Sequence, residues 1–294
     1  MYKKTSKKVK NYLSLVKFSH TIFAMPFAFI GYFLALYQTD SIIDWKLLLL
    51  VVLCMVFARN AAMAFNRFID REIDIKNPRT AIREIPAGIL KAKSVFIFVI
   101  INSILFIATT YFINKLTFHL SPVALIIILG YSITKKFTAL CHLILGLGLS
   151  LAPIGAYLAV TGEFALLPVL YSLVVLLWVS GFDIIYALQD LDFDKEEELK
   201  SLPVFFGRKG ALQASSLLHL VSAILTIYAG YYAEFGLFYW IGCLFFIGLL
   251  FYQHTLVKPD NLSKVNVAFF TTNGIASVIF AVFTITELIL KIWH

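Results

Sequence analysis

Apolar and polar positions alternate along this chain on the scale of whole helices rather than single residues. Apolar runs of roughly 20 residues, the length a helix needs to cross a bilayer, recur about nine times. They lie near residues 18–37, 46–65, 95–113, 119–134, 138–161, 165–188, 212–232, 236–253 and 266–289, the fourth being short. Most connections between them are brief. Two are not: the stretches 66–94 and 189–211 hold 10 of the chain's 17 Asp and Glu. They follow the second and sixth runs, four spans apart, a spacing that hints at two related halves. The pattern predicts an all-α, polytopic membrane helix bundle, with residues 1–294 as a single transmembrane domain.

Composition sharpens this. The chain is 60% hydrophobic and 14% charged, against roughly 45–50% and about 25% in soluble proteins. A soluble enzyme, a disordered chain and a disulfide scaffold are all excluded. Cys54, Cys141 and Cys243 lie in or beside apolar runs without paired spacing, so they read as structural thiols. The net charge of +8 is a matter of placement. With the N-terminus inside, 22 of the 25 Lys and Arg fall at inside positions, leaving Lys46, Lys115 and Lys291. That is the positive-inside asymmetry of a multi-pass protein of the cytoplasmic (inner) membrane. It points to the lipid bilayer, not to nucleic acid, and puts both acidic loops on the cytoplasmic side. The first 17 residues are polar and Lys-rich and read as no cleavable signal.

The second run leaves the membrane as Asn66-Arg-Phe-Ile-Asp70-Arg-Glu-Ile-Asp74. Positions i, i+4 and i+8 share a helix face, so Asn66, Asp70 and Asp74 align three oxygen-bearing side chains. Hard oxygens at that density suit Mg²⁺, which is commonly shared with substrate phosphates. Arg79 and Arg83 follow, then a turn at Pro86 and Gly88 that could fold the arginines back over the metal. A solvated, mixed-charge helix end fits the same spacing.

The sixth run and its exit carry Asp183, Tyr186, Asp190 and Asp194 on another approximate face, with Asp192 nearby. A carboxylate inside a span is costly and a functional candidate by default; a single helix-packing hydrogen bond is the alternative for Asp183. Glu196, Glu197 and Glu198 read as solvated surface. Two facing acidic clusters repel unless protons or cations offset them, and a divalent metal is the expected remedy. At the inside end of the fourth run, Tyr131-Ser-Ile-Thr-Lys135-Lys136 offers a lysine either to topology or to a diphosphate. The six His show no ligand spacing, although His20 and His142 could border a cavity.

Taken in order, Asn66-x-x-x-Asp70-x-x-x-Asp74, Arg79-Thr80 and Arg83, Tyr131-x-x-x-Lys135 and Asp183-x-x-Tyr186-x-x-x-Asp190-x-x-x-Asp194 resemble the UbiA-type intramembrane aromatic prenyltransferases. The resemblance covers nearly the whole chain. It implies a helical bundle around a central cavity with both acidic motifs at its cytoplasmic mouth. By matching position it makes Asn66, Asp70, Asp74, Asp190 and Asp194 the metal-diphosphate set. Arg79, Arg83, Lys135 and Tyr131 would contact the diphosphate, and Asp70, Asp190, Tyr186 and Asp183 would serve catalysis. The chain reads Arg83-Glu-Ile-Pro86 where Arg-Pro-Leu-Pro is common, and Lys135-Lys136 where Lys-Arg is common, keeping a positive charge at each place. Lys17-Phe-Ser-His-Thr21 and Asn77-Pro-Arg-Thr80 look like the 4-hydroxybenzoate polyprenyltransferase branch, of which some members serve the futalosine route to menaquinone.

The activity so implied is Mg²⁺-dependent transfer of a polyprenyl group from its diphosphate to an aromatic acceptor of the 4-hydroxybenzoate type, in quinone biosynthesis. A naphthoate-type menaquinone precursor is the next acceptor class, with haem- or chlorophyll-type prenyl transfer behind it. A cation transporter is the rival outside enzymology. Against it, the carboxylates cluster at one membrane face instead of lining a path through the bundle.

Overall fold

The computed structural model describes residues 10–16 and 23–292. The segment Lys17–Thr21, His20, His294 and the start of the first predicted span lie outside the described residues. Within them the chain is helical and forms no strand. Eight helical stretches are long and apolar enough to cross a membrane, and a shorter apolar helix precedes them. The predicted bundle is present.

After a short helical segment over residues 10–15 come α1 (Met25–Gln38) and α2 (Trp45–Ile69), followed by the one-and-a-half-turn α3 (Arg71–Lys76). Next come α4 (Ala92–Tyr111), α5 (Lys115–Thr134), α6 (Cys141–Thr161) and α7 (Leu166–Ala187). The last four are the short α8 (Leu191–Glu196), α9 (Leu202–Tyr232), α10 (Leu237–Leu256) and α11 (Asn273–Ile292). The fourth run is not short: α5 has 20 residues and starts at an Asn114 cap whose side chain accepts from Thr117 N at 2.9 Å. Lys115, Thr117, His119 and Pro122 had masked its first turns as a loop. The second run is also longer than its hydropathy suggests. It extends to Ile69 and carries Arg59 and Arg67 inside the helix, not in the loop that follows.

Helix α7 is the hub. Val174, Val175, Trp178 and Val179 are fully buried, packed with Phe27, Phe246 and Phe280 from α1, α10 and α11. Small residues let its neighbours come close, as in membrane bundles generally. A Cβ on Gly146 of α6 would overlap the Leu176 carbonyl and the Ser180 side chain of α7. That close approach brings His142 of α6 beside Asp183 of α7. On the other side, His219 Nε2–H of α9 donates to the Trp178 carbonyl (3.0 Å), and Trp178 Nε1 donates to Asn273 Oδ1 (2.8 Å). Asn273 in turn donates to the Ala268 and Phe269 carbonyls at 2.9 and 3.0 Å, holding a π-helical turn over Val267–Thr272. Such turns are frequent at functional sites.

Helix α9 bends near its start. Gly207 is non-helical at φ 69°, ψ 178°, a left-handed conformation that glycine adopts without a Cβ clash. The turn before it, capped by Ser201, exposes Phe205 and Phe206. The three thiols are free, with Cys243 buried and Cys54 and Cys141 half-buried.

Candidate active site at the mouth of the cavity

One cavity of about 650 Å³ opens among α2, α5, α6 and α7. Its wall positions recur every three or four residues, the period of one helix face: Val51, Met55, Ala58, Ala62, Asn66 and Asp70 on α2 and its end, and Thr117, Ser121, Ala124, Ile128, Tyr131 and Lys135 on and just past α5. The lining is apolar through most of its length, Arg59 excepted, and most heavily charged at one end. There the loops after α2, α5 and α7 converge, tied by a Lys200 N–H to Lys135 carbonyl bond of 2.7 Å and a Lys76–Glu197 ion pair of 2.6 Å. Glu197 is therefore half-buried and paired, not simply solvated as its neighbours Glu196 and Glu198 are.

The first acidic motif is nearly one helical line. Asp70 N–H donates to the Asn66 carbonyl (2.9 Å) and Asp74 N–H to the Asp70 carbonyl (2.7 Å), although the helix breaks at Asp70. The line does not make one wall, however. Asn66 and Asp70 line the cavity, whereas Asp74 is buried behind it. Asp70 Oδ2 accepts from Asn66 Nδ2 (3.0 Å) and Lys135 Nζ (2.8 Å), and Asp74 Oδ1 accepts from Arg83 Nη1 (2.7 Å). The other oxygens, Asp70 Oδ1 and Asp74 Oδ2, are buried with no hydrogen-bond partner among the described residues. Burial pushes the Asp70 carboxyl above the usual carboxylate range, against the pull of Lys135.

The second motif spans the end of α7, a 3₁₀ turn over Leu188–Asp190, and α8. Asp183, Tyr186, Asp190 and Asp194 all face the cavity. Asp192 turns outward to Arg208 at 3.3 Å. The two motifs meet through Arg79. Its Nε donates to Asp190 Oδ1 (2.9 Å), its Nη2 to Asp190 Oδ2, and its Nη1 to the Tyr186 hydroxyl (3.0 Å). Burial of that guanidinium opposes its charge, but the Asp190 carboxylate outweighs it and keeps Arg79 above its ordinary pKa. Asn77 shapes the turn, accepting from Arg79 N–H (2.9 Å) and donating to Asp190 (3.0 Å). Tyr186 is also stacked on Phe269 of the π turn, ring centroids 4.1 Å apart. Phe23, Phe182 and Phe270 complete an aromatic wall beside the carboxylates. The sequence-predicted residues thus gather at one end of the bundle. Lys136 is exposed and away from the cavity.

Three contributors were not singled out from the sequence, and a fourth, His142, was named there only as a residue that could border a cavity. His142 is buried, with Nδ1 2.7 Å from Asp183 Oδ2; its helix and its partner's are remote in sequence, so only packing reveals the pair. Asn77 had been noted only as part of a branch motif. Arg59 and Arg67 both line the cavity from within α2, and neither makes an ion pair among the described residues. Their signal was available, because a charge inside a membrane helix marks a functional position.

A profile of the UbiA prenyltransferase family matches residues 24–275, most of the chain. The chain belongs to the UbiA prenyltransferase family. This UbiA protein is 31% identical over 253 residues to a 4-hydroxybenzoate octaprenyltransferase of Aliivibrio fischeri, covering 85% of this chain and 87% of the relative. It is 31% identical over 238 residues to the like-named protein of Tolumonas auensis, covering 81% and 83%. Among solved structures, the apo UbiA homologue of Aeropyrum pernix superposes with a TM-score of 0.79 at 29% identity, covering 92% and 97% of the two chains. An Archaeoglobus fulgidus UbiA homologue bound to DMAPP and Mg²⁺ shares the fold, with a TM-score of 0.75 at 22% identity over 95% and 99% of the chains. Both acidic motifs lie within the matched span.

Proposed function

We propose that this protein transfers a polyprenyl group from its diphosphate to the ring of an aromatic carboxylic acid, at the cytoplasmic face of a bacterial inner membrane, in quinone biosynthesis. The observation that carries this reading is the graded cavity: two carboxylate clusters and three basic side chains at the mouth, an aromatic collar below, and an apolar channel beyond. Each part has a counterpart in a prenyl diphosphate, whose head is anionic, whose allylic carbon becomes cationic and whose tail is hydrocarbon. The 4-hydroxybenzoate octaprenyltransferases among its relatives support the acceptor class, and the bacterial sources support the membrane.

The donor set fits a hard divalent cation, since Asp70 Oδ1 at the cavity wall is buried without a hydrogen-bond partner among the described residues and Asn66, Asp70, Asp190 and Asp194 all offer side-chain oxygens. Asn66, Asp70, Asp190 and Asp194 would hold Mg²⁺ at the cavity wall, with Asp74 behind them; bound there, it supplies positive charge toward the departing diphosphate. Arg79, Arg83 and Lys135 add charge to the same oxygens, and preorganised charge of this kind is usually the largest catalytic contribution. When the allylic C–O bond breaks, its electron pair leaves with the diphosphate. Tyr186 and its phenylalanine neighbours face the positive carbon with aromatic π density, and the apolar channel keeps water away. A ring carbon of the acceptor forms the new C–C bond, and the displaced ring proton passes to Asp183, on the oxygen that His142 does not hold. Arg59, about two helical turns below Asn66 on the same face and without an ion pair among the described residues, is placed to bind the acceptor's carboxylate. A basic group in mid-channel also argues against a cation pathway.

The test is a membrane assay with labelled prenyl diphosphates against 4-hydroxybenzoate, a hydroxynaphthoate and the corresponding phenol lacking a carboxylate. Transfer to a carboxylate-bearing ring, lost on chelation, is expected. Arg59→Leu should then raise KM for the carboxylate acceptor by roughly 10–100-fold, the worth of a charge-assisted bond, while leaving KM for the donor unchanged. Equal transfer to the phenol, or full activity in excess chelator, would overturn the reading.

A further inference from the structure

The channel is long, and its floor carries two gaps at different depths. On α6, the wall positions His142, Leu145, Gly148, Ala152 and Gly155 follow one helix face from the charged mouth outward. At about 1.5 Å per residue, Gly148 lies roughly 9 Å and Gly155 roughly 20 Å beyond His142. The cavity continues to Thr110 and Leu158, near the opposite ends of their helices, and to Phe164 in the connection between α6 and α7, so it runs most of the bundle's length.

Neither glycine is required by helix packing. A Cβ on Gly155 would meet nothing within 4 Å, and one on Gly148 would touch only Ile128 of α5, at 3.6 Å. This contrasts with Gly31, Gly146, Gly181 and Gly230, where a Cβ would collide with a neighbouring helix. Both glycines have conformations open to any residue, since neither has a positive φ. Glycine is a poor helix former, so its presence in mid-helix without a packing reason leaves room for something else. The space in front of them is continuous with the mouth that holds the diphosphate ligands.

We infer that Gly148 and Gly155 set the length of prenyl tail the enzyme accepts, by leaving the channel open at two successive depths. This rests on the prenyl-transfer reading and names its donor class: tails longer than the distance from the mouth to Gly155. Tail atoms pass Gly148 first and Gly155 later. A side chain introduced at Gly155 therefore excludes only long tails, whereas one at Gly148 excludes intermediate tails as well.

The experiment uses the full chain in membranes, with the aromatic acceptor fixed and dimethylallyl, geranyl, farnesyl and octaprenyl diphosphates as donors. Gly155→Leu should keep kcat/KM for dimethylallyl and geranyl diphosphate within about twofold and lower it for the octaprenyl donor by tenfold or more, within the usual range of steric discrimination in an apolar pocket. Gly148→Leu should also lose the farnesyl donor. Gly248→Leu, at an exposed glycine of α10 outside the cavity where a Cβ would also meet nothing within 4 Å, should match the unaltered chain in abundance and in donor profile. An unchanged ranking of donors in both leucine variants would overturn the inference while leaving prenyl transfer standing. A loss shared equally by all four donors would overturn it too, since a plug at depth cannot discriminate against the shortest tail. Absence of transfer from every donor by the unaltered chain would remove the reading and the inference together.

Discussion

Asp70 and Asp190 each face one dominant cation, Lys135 and Arg79. Replacing either by asparagine keeps the side chain's size and removes the charge that those groups and a bound metal would meet. Each variant should lower turnover by about 10²–10³, comparable to loss of an oxyanion donor. The double variant should cost far less than the product, because groups acting as a unit are not additive. Near-normal rates at equal membrane abundance would remove both residues from the site. Glu197 makes a contrasting case. Its partner Lys76 is more than half exposed, at 58%, and exposed pairs of this kind contribute about 0–1 kcal/mol. Glu197→Gln should therefore stay within about fivefold of the unaltered rate. A Glu197→Lys loss that Lys76→Glu restores would confirm that what matters is the tie between the loops. At this scale the sequence was informative where spacing is local: of Asn66, Asp70 and Asp74 on one expected face and Asp183, Tyr186, Asp190 and Asp194 on the other, all but Asp74 line the cavity. It was silent where partners are distant, since no spacing joins His142 to Asp183 or Lys76 to Glu197.

Elements were legible wherever hydropathy alone decides them, as in α4, α7 and α10. They were misjudged where a membrane helix carries polar residues for a reason: the Asn114 cap and Thr117 at the start of α5, and Arg59, Arg67 and Asn66 in the last turns of α2. The π turn before α11 was invisible, because it is imposed by Asn273 and Trp178 rather than by its own residues. That dependence is testable. Asn273→Leu leaves the Trp178 indole N–H and two backbone carbonyls without their partner, at about 1–3 kcal/mol for each buried group left unsatisfied. The variant should melt at a lower temperature in detergent. Phe269 should lose its register under Tyr186, lowering kcat with little change in donor KM. An unaltered melting temperature would show that the π turn holds itself.

For the whole molecule, the ion pairs and backbone bonds between the acidic loops put both motifs at one end of the bundle. From the charge asymmetry we propose that this end faces the cytoplasm. A cysteine introduced at exposed Glu196 should accordingly react with an impermeant thiol reagent in inverted vesicles and not in intact cells. Labelling from the outside would invert the topology. The architecture itself was the most legible feature, since about nine hydrophobic runs in an order of short and long connections leave few alternatives. The central cavity was accessible only through family resemblance, because the sequence does not say which helix faces stop short of touching.

The bend at Gly207 has a mechanical consequence. It turns the first residues of α9 into a separate foot, with Phe205 73% and Phe206 54% exposed beside Arg208 and Lys209. Phenylalanine beside lysine and arginine is the composition of segments that lie at the boundary between lipid and water. Ser201, at the heel of that foot, donates to Asp194 at 3.3 Å. We propose that this foot rests on the bilayer surface and so moors the loop that carries Asp194 to lipid as well as to the protein. A micelle offers no such flat surface, so turnover should be higher in lipid nanodiscs than in detergent. Serine at both Phe205 and Phe206 should erase that difference, by cutting the rope rather than harming the ship.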